Sequence, residues 1–327
     1  MKQIKVGIVG GAGYTAGELL RILLQHPNAQ ITWIHSNSNA NKAVYSVHQD
    51  LLGETDLHFS NTVDFNIDTL FLCSGHGKSK AFLDTHQTAI EEQEDLKIID
   101  LSSDFRHKRT GNDFIYGLPE LQKAEIQQQA KVANPGCFAT TIQLALLPLA
   151  KEQLLKKSIH IQAVTGSTGA GQKPTATSHF SWRNNNVSVY KAFQHQHIAE
   201  IKQSLQQLQS DFDQELYFIP VRGNFSRGIM ATVYTEFAGT LEEAKTLFKE
   251  YYADHPFVWV SESNPHLKQV VNTNKCILYL EKHDNILLIV SMIDNLLKGA
   301  SGQAVQNMNL LFGFEEKAGL GLKGVGF

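Results

Sequence analysis

"IKVGIVGGAGYTAGELLRILLQHP", residues 4–27, decides how the chain begins. The first six residues are a short β-branched run closed by glycines. The stretch TAGELLRILLQHP then sets Leu19, Leu20, Leu23 and Leu24 at helical spacing and stops at Pro27. Between strand and helix, Gly10, Gly13 and Ala16 stand at the three positions of a dinucleotide-binding turn. The first glycine permits the tight turn, the second lets backbone approach a diphosphate, and the small third residue lets helix pack on strand. The diphosphate would meet the helix start, at Tyr14 and Thr15, where N–H groups and the helix dipole favour anions. A plain βα turn uses similar glycines; the strand–turn–helix context at the head of an alternating chain favours the dinucleotide.

Outward from that turn, QITWIHS, TLFLCSG and LKIIDLSS read as further strands separated by helical stretches. Such alternation predicts a doubly wound parallel sheet, a Rossmann-type domain. An NAD site usually closes its second strand with an acid that binds the ribose 2′-hydroxyl. Here HSNSNANK carries no acid but offers Ser36, Asn37, Ser38 and Lys42 as donors, so NADP(H) is the expected cofactor.

Beyond NPGC the character changes. FATTIQLALLPLAKEQLL reads as a helix, broken near Pro148, and a Gly/Ser/Thr/Asn-rich loop region follows at 166–188. ELYFIPV, IMATVYTEFAG, CILYLEK and NILLIVSMID are strand-like and closely connected. They predict an α+β domain with a large, mostly antiparallel sheet. The final LLKGASGQAVQNMNLLFGF returns to helix. The expected division is a dinucleotide-binding domain of residues 1–136 and 300–327, and a catalytic and dimerisation domain of 137–299.

Composition narrows the classes. A chain of 327 residues is expected to hold about two domains. Its net charge of -3 is weak, with no basic block, so nucleic acid and anionic membrane are not expected partners. No apolar run approaches the roughly 20 residues that span a bilayer. Three widely spaced cysteines suggest neither a disulfide framework nor a zinc site and fit a reduced, cytoplasmic compartment.

One cysteine differs from the others. In VANPGCFATT, residues 132–141, Asn134 precedes a proline and is pushed to extended backbone, so the chain turns sharply at Gly136. Cys137 then falls at a helix start, where N–H groups and the dipole stabilise a thiolate. Cys73 and Cys276 lie in strand-like apolar runs and read as core. A catalytic thiol needs an acid/base partner, and YKAFQHQHIAEI supplies His195 and His197, with Glu200 placed to orient one of them. The two histidines could instead begin a zinc set, but no cysteine or carboxylate pair completes it. Arg106 in SSDFRHK and Arg227 in NFSRGI sit at element ends and suit anion recognition.

In order, GGAGYTAGELLRIL, IIDLSSDFR, YGLPEL, NPGCFATT, GSTGAG, HQHIAEI, RGIMATVY and DNLLKGASGQAVQNMNLL make the chain resemble the N-acetyl-gamma-glutamyl-phosphate reductases. That family is related to the aspartate-semialdehyde dehydrogenases. The resemblance implies that Cys137 attacks an acyl phosphate, leaving a thioester that NADPH reduces to a semialdehyde, in arginine biosynthesis. It implies a histidine of the His-x-His-x-x-Glu motif as acid/base, His195 before His197. Arg106, Arg227 and Asn134 would contact substrate. Gly166, Gly169, Asn295 and Gly299 would line the nicotinamide side. It further implies that the C-terminal helix, about 300–327, packs on the cofactor domain. The second sheet would form the subunit interface of a homodimer or homotetramer.

There are departures from the family pattern. Asn37 stands where many relatives carry arginine, Ala16 where glycine is usual, and Asn41 where glycine is frequent. FIPVRGNFSRGI lacks the histidine-containing PHL form. Arg222 in that stretch would suit an extra carboxylate, so an N-succinyl substrate is one alternative, with aminoadipyl and aspartyl phosphates as others. From other classes come a dinucleotide-binding regulatory module without chemistry and a zinc hydrolase using the two histidines.

Overall fold

A computed structural model describes residues 3–75 and 77–326; Met1, Lys2, His76 and Phe327 lie outside the described residues, including the outermost positions of the expected domains. The chain divides into two compact units, 1–135 with 300–321, and 136–299 with 322–327.

The first unit is built on seven parallel strands. They are β1 (Ile4–Val9), β2 (Ala29–His35), β3 (Phe59–Ser60), β4 (Thr69–Leu72), β5 (Lys97–Asp100), β6 (Ile115–Tyr116) and β7 (Lys131–Ala133), in the order β3-β2-β1-β4-β5-β7-β6. The order reverses between β1 and β4, and that switch point opens a crevice at the carboxyl ends of the two strands, where Gly10 and Cys73 lie. Helices α1 (Tyr14–Leu23), α2 (Lys78–Thr85), α3 (Gln87–Glu91) and α4 (Pro119–Ile126) connect the strands. Leu70, Leu72, Ile98 and Ala133 contribute to a core that Phe65 and Phe114 complete.

The second unit starts with α5 (Cys137–Lys151), whose residues 138–150 are all buried. Its sheet holds β8 (Ile159–Thr165), β9 (Ser188–Val189), β10 (Leu216–Arg222), β11 (Ile229–Glu236), β12 (Val258–Val260), β13 (Cys276–His283) and β14 (Ile286–Ile293), ordered β12-β13-β14-β11-β8-β10-β9. β8/β10 and β12/β13 pair in parallel; the other neighbours are antiparallel, so the sheet is mixed and mostly antiparallel. β13 and β14 are joined by the two residues Asp284-Asn285, with Asp284 left-handed at φ 49, as tight hairpins require. Short α6 (Phe180–Arg183) lies in the polar loop region, and α7 (His197–Leu208) and α8 (Leu241–Tyr251) complete the unit.

Two expectations need correction. Pro148 does not break α5, which runs through it. Proline has no N–H for the carbonyl four residues back, and the Tyr252 hydroxyl donates to that Leu144 oxygen instead, at 2.6 Å. The C-terminal helix also does not extend over 300–327. A π-helical turn, Leu297–Ser301, leads into α9 (Gly302–Phe312), which stops where Gly313 turns left-handed. Residues 322–326 group with the second unit, where Asn272 Nδ2 donates to the Lys323 carbonyl. Within the first unit α9 is tied by Ser301 Oγ to the Thr15 carbonyl, 2.7 Å, and by Asn307 Nδ2 to that of Gly117, 2.9 Å.

Candidate active site

The dinucleotide turn sits at the switch point of the first sheet. Gly10 has φ 79, and a Cβ there would lie 2.8 Å from backbone atoms of Cys73 and Ser74, so only glycine fits. Gly13 precedes α1 in extended backbone and has no side chain to cap the helix. The nearest atom to a Cβ built there is 3.9 Å away, which leaves the helix start open to an anion. Ala16 is buried, Tyr14 is exposed, and the Thr15 hydroxyl bonds the Cys73 thiol. Burial pushes that thiol far up, so Cys73 is inert. His48, which carries no local signal in the sequence, braces the turn: its Nε2 donates to the Gly11 carbonyl at 2.8 Å.

After β2 the chain makes a 3₁₀ turn, Asn37–Asn39. Asn39 Nδ2 lies 3.4 Å from Ser36 Oγ and 3.2 Å from Ser38 Oγ, and Lys42 Nζ donates to Asn39 Oδ1 at 3.3 Å. Asn41 has φ 66, which asparagine tolerates better than most residues; this explains its place at a position favouring glycine. An open helix start and a cluster of hydroxyl, amide and ammonium groups fit a dinucleotide with a phosphorylated ribose.

Arg106 is buried in the first unit. Its Nε donates to the Asn134 carbonyl at 2.9 Å and its Nη2 to that of Leu101 at 3.1 Å. Asp100, wholly buried, is pushed up by burial, opposed by Ser79, Ser102 and the Arg106 charge. Asn134 is bonded within the first unit. It is 1% exposed, its Oδ1 accepts from Asn307 and its Nδ2 donates to the Ala300 carbonyl. The amide is used to fix the chain just before Pro135-Gly136-Cys137.

In the second unit Cys137 is the first residue of α5, half-buried and in no disulfide. Gly136 precedes it in extended backbone, and its N–H donates to Glu200 Oε2 at 3.0 Å. Glu200 Oε1 lies 3.8 Å from His197 Nε2. His195 packs edge-on to Phe138 at 5.4 Å, Phe218 at 5.5 Å and Tyr190 at 5.9 Å. Burial, reinforced by Lys191 and opposed by Glu200, lowers the His195 pKa to about 4. Its Nδ1 accepts the His197 backbone N–H at 3.3 Å, so the neutral ring carries its proton on Nε2.

The structure adds Tyr190, which the sequence placed in the right segment without marking it. Burial and then the Cys137 charge push its phenol up to about 12, while Arg222 opposes. The Arg222 guanidinium lies over the Tyr190 ring at 4.6 Å. Thiol, phenol and imidazole therefore share one neighbourhood.

The residues expected on the nicotinamide side have local duties. A Cβ on Gly166 would meet the Ser226 carbonyl at 2.4 Å, and one on Gly299 would lie 2.8 Å from Cys137 Cβ. Gly169 has ordinary room, with Thr165 Oγ1 at 3.7 Å. Asn295 is buried; its Oδ1 accepts from Gly228 N at 2.7 Å and its Nδ2 donates to Thr168 Oγ1 at 3.0 Å. It stitches the GSTGAG turn to the start of β11.

Known families match this two-unit plan. Residues 5–129 match the semialdehyde dehydrogenase NAD binding domain, and residues 137–295 the semialdehyde dehydrogenase dimerisation domain. A protein of Azobacteroides pseudotrichonymphae named N-acetyl-gamma-glutamyl-phosphate reductase is 61% identical over 326 residues, 99% of this chain and 100% of that one.

The chain belongs to the N-acetyl-gamma-glutamyl-phosphate reductase family.

Another reductase of that name, from Parabacteroides distasonis, is 58% identical over 98% of this chain and 99% of its own length. Among solved structures, aspartate semialdehyde dehydrogenase II of Vibrio cholerae, complexed with ASA, aligns with TM-score 0.74 at 16% identity, covering 95% of this chain and 99% of that one. The aspartate semialdehyde dehydrogenase of Candida albicans, with NADP, gives 0.71 at 13% identity, covering 97% and 99%. At such identity these two speak for the fold. The chain thus pairs a unit that matches the NAD binding domain with a Cys137-bearing mixed-sheet unit that matches the dimerisation domain.

Proposed function

We propose that this chain reduces N-acetyl-gamma-glutamyl phosphate to N-acetylglutamate 5-semialdehyde and phosphate, with NADPH, in arginine biosynthesis. The observation that carries the reading is Cys137 at an uncapped helix start beside Tyr190 and His195, in a chain matching reductases of that name over nearly its whole length. The Cys137 thiolate attacks the acyl carbon, the C–O bond to phosphate breaks, and a thioester remains. Gly10, Gly13, Tyr14, Thr15 and Ala16 would hold NADPH, with Ser36, Ser38 and Lys42 near its 2′-phosphate, and the cofactor would supply the hydride. As the acyl carbon gains that hydride its bond to the Cys137 sulfur breaks, freeing the semialdehyde and returning the thiolate.

His195 is the acid/base partner in this reading. As a neutral ring it presents Nε2–H to the acyl oxygen while that oxygen gathers charge, a contribution of ~3 kcal/mol per donor at comparable sites. His197, ordered by Glu200, is the alternative. Arg106 and Arg227 hold substrate anions. The protein acts in the cytoplasm as a homodimer or homotetramer. The family's dimerisation domain and the exposed Tyr217, Tyr234 and Trp259 of its sheet support assembly through that unit.

Arg222 over Tyr190 supports a second reading, in which the N-acyl group carries a further carboxylate, as in an N-succinyl substrate. Phosphate-dependent reduction of NADP+ and NAD+ with the N-acetyl and N-succinyl semialdehydes tests both. The first reading expects the highest kcat/KM for NADP+ with the N-acetyl compound. A clear N-succinyl preference favours the second, and no phosphate-dependent turnover with either contradicts both.

A further inference from the structure

We infer that Asp294 is a positioning residue for this reaction: one buried carboxylate aims the Arg227 guanidinium and fixes the turn that packs on Cys137. The inference rests on the reading of Arg227 as a substrate-anion contact. Asp294 ends at the foot of β14 with no exposed surface. A carboxylate in that position needs a full set of donors, and the set it has is divided between two tasks.

Oδ2 accepts from Arg227 Nε at 3.1 Å and from the Asn272 backbone N–H at 2.7 Å. Oδ1 accepts from the N–H groups of Leu296, 2.8 Å, and Leu297, 3.3 Å. The Asp294 carbonyl accepts from Gly299 N at 2.9 Å, the longer-reaching bond of a π-helical turn. Gly299 is the residue whose missing Cβ makes room for Cys137. The same residue therefore orients Arg227 and caps the start of the turn with its carboxylate, while its main-chain carbonyl holds the backbone beside the thiol.

The ion pair is also lopsided. The Asp294 side chain is 0% exposed and that of Arg227 21%, so the cation is the member that meets solutes. Anchoring through Nε fixes the plane of the fork, which an unanchored arginine would sample at an entropic cost.

The test is a kinetic cycle in the oxidising direction, with N-acetylglutamate semialdehyde, phosphate and NADP+. Asp294→Asn preserves shape but turns a donor toward donors. The semialdehyde KM should rise roughly tenfold, the scale of a charged hydrogen bond, with the NADP+ KM unchanged. Arg227→Gln, whose amide still donates to Asp294, should raise the same KM, and adding Asp294→Asn to it should change little. Additive effects would overturn the inference while leaving Arg227 as an anion contact. An unchanged semialdehyde KM in Arg227→Gln would remove both. If Asp294→Asn does not fold, added guanidinium ion should restore Arg227→Ala saturably, because Asp294 holds the cation; no recovery would overturn the inference.

Discussion

His195 shows how burial selects the state of a single side chain. Its ring titrates near 4 in the folded protein against 6.5 for the ordinary group. Between those values the unfolded chain binds the extra proton, so stability falls as pH is lowered through that window and levels off below it. Melting temperature should therefore drop from pH 6.5 toward 4 more steeply in the wild type than in His195→Asn. The kcat/KM profile should lack a His195 inflection near neutrality. An inflection near 6.5 that His195→Asn removes would contradict this account. At this scale the sequence was partly legible. Cys137, the His-x-His pair and the turn glycines are chemical types with local signatures. The bonds of Asn134 and Asn295 were not, because nothing local in the sequence shows that their amides meet Asn307 and Thr168. Tyr190 became visible only when burial brought it beside Cys137.

Helix α5 carries the thiol, and its integrity depends on a residue far along the chain. A proline at position 148 argues locally for a break. The structure keeps the helix because Tyr252 Oη satisfies the Leu144 carbonyl that Pro148 leaves without a backbone N–H. Tyr252→Phe should cost about 1–3 kcal/mol of stability, the penalty for stranding a buried polar group. Pro148→Ala restores the missing N–H, so Tyr252→Phe should cost clearly less in that background. Chemical denaturation of the four proteins measures the cycle, and an equal cost in both backgrounds would refute the compensation. Hydrophobic period and spacing announce an element, but not the distant hydroxyl that lets it continue.

The whole molecule is two units, each with its own sheet. Strand alternation made the parallel sheet legible, and four closely connected strands made the mixed sheet legible. The short β9 and β12 were missed because two or three residues carry no period. The second sheet presents a run of aromatic rings: His160 stacks on Tyr234 at 4.9 Å and lies against Tyr217 at 5.1 Å. With Tyr217 and Tyr234 more than 40% exposed, such a face suits a second copy of the chain. Tyr234→Glu should shift the molar mass in solution from oligomer toward monomer by light scattering; an unchanged mass would place the interface elsewhere.

The most direct test is whether an acyl group becomes bonded to the Cys137 sulfur. Protein mixed with N-acetyl-gamma-glutamyl phosphate in the absence of NADPH should gain the mass of one N-acetylglutamyl group, localised to the peptide bearing Cys137, and lose it when NADPH is added. Cys137→Ser should show no labile adduct and turn over about a thousandfold more slowly or worse. An adduct on another residue, or a Cys137→Ser variant that keeps its activity, would contradict the account.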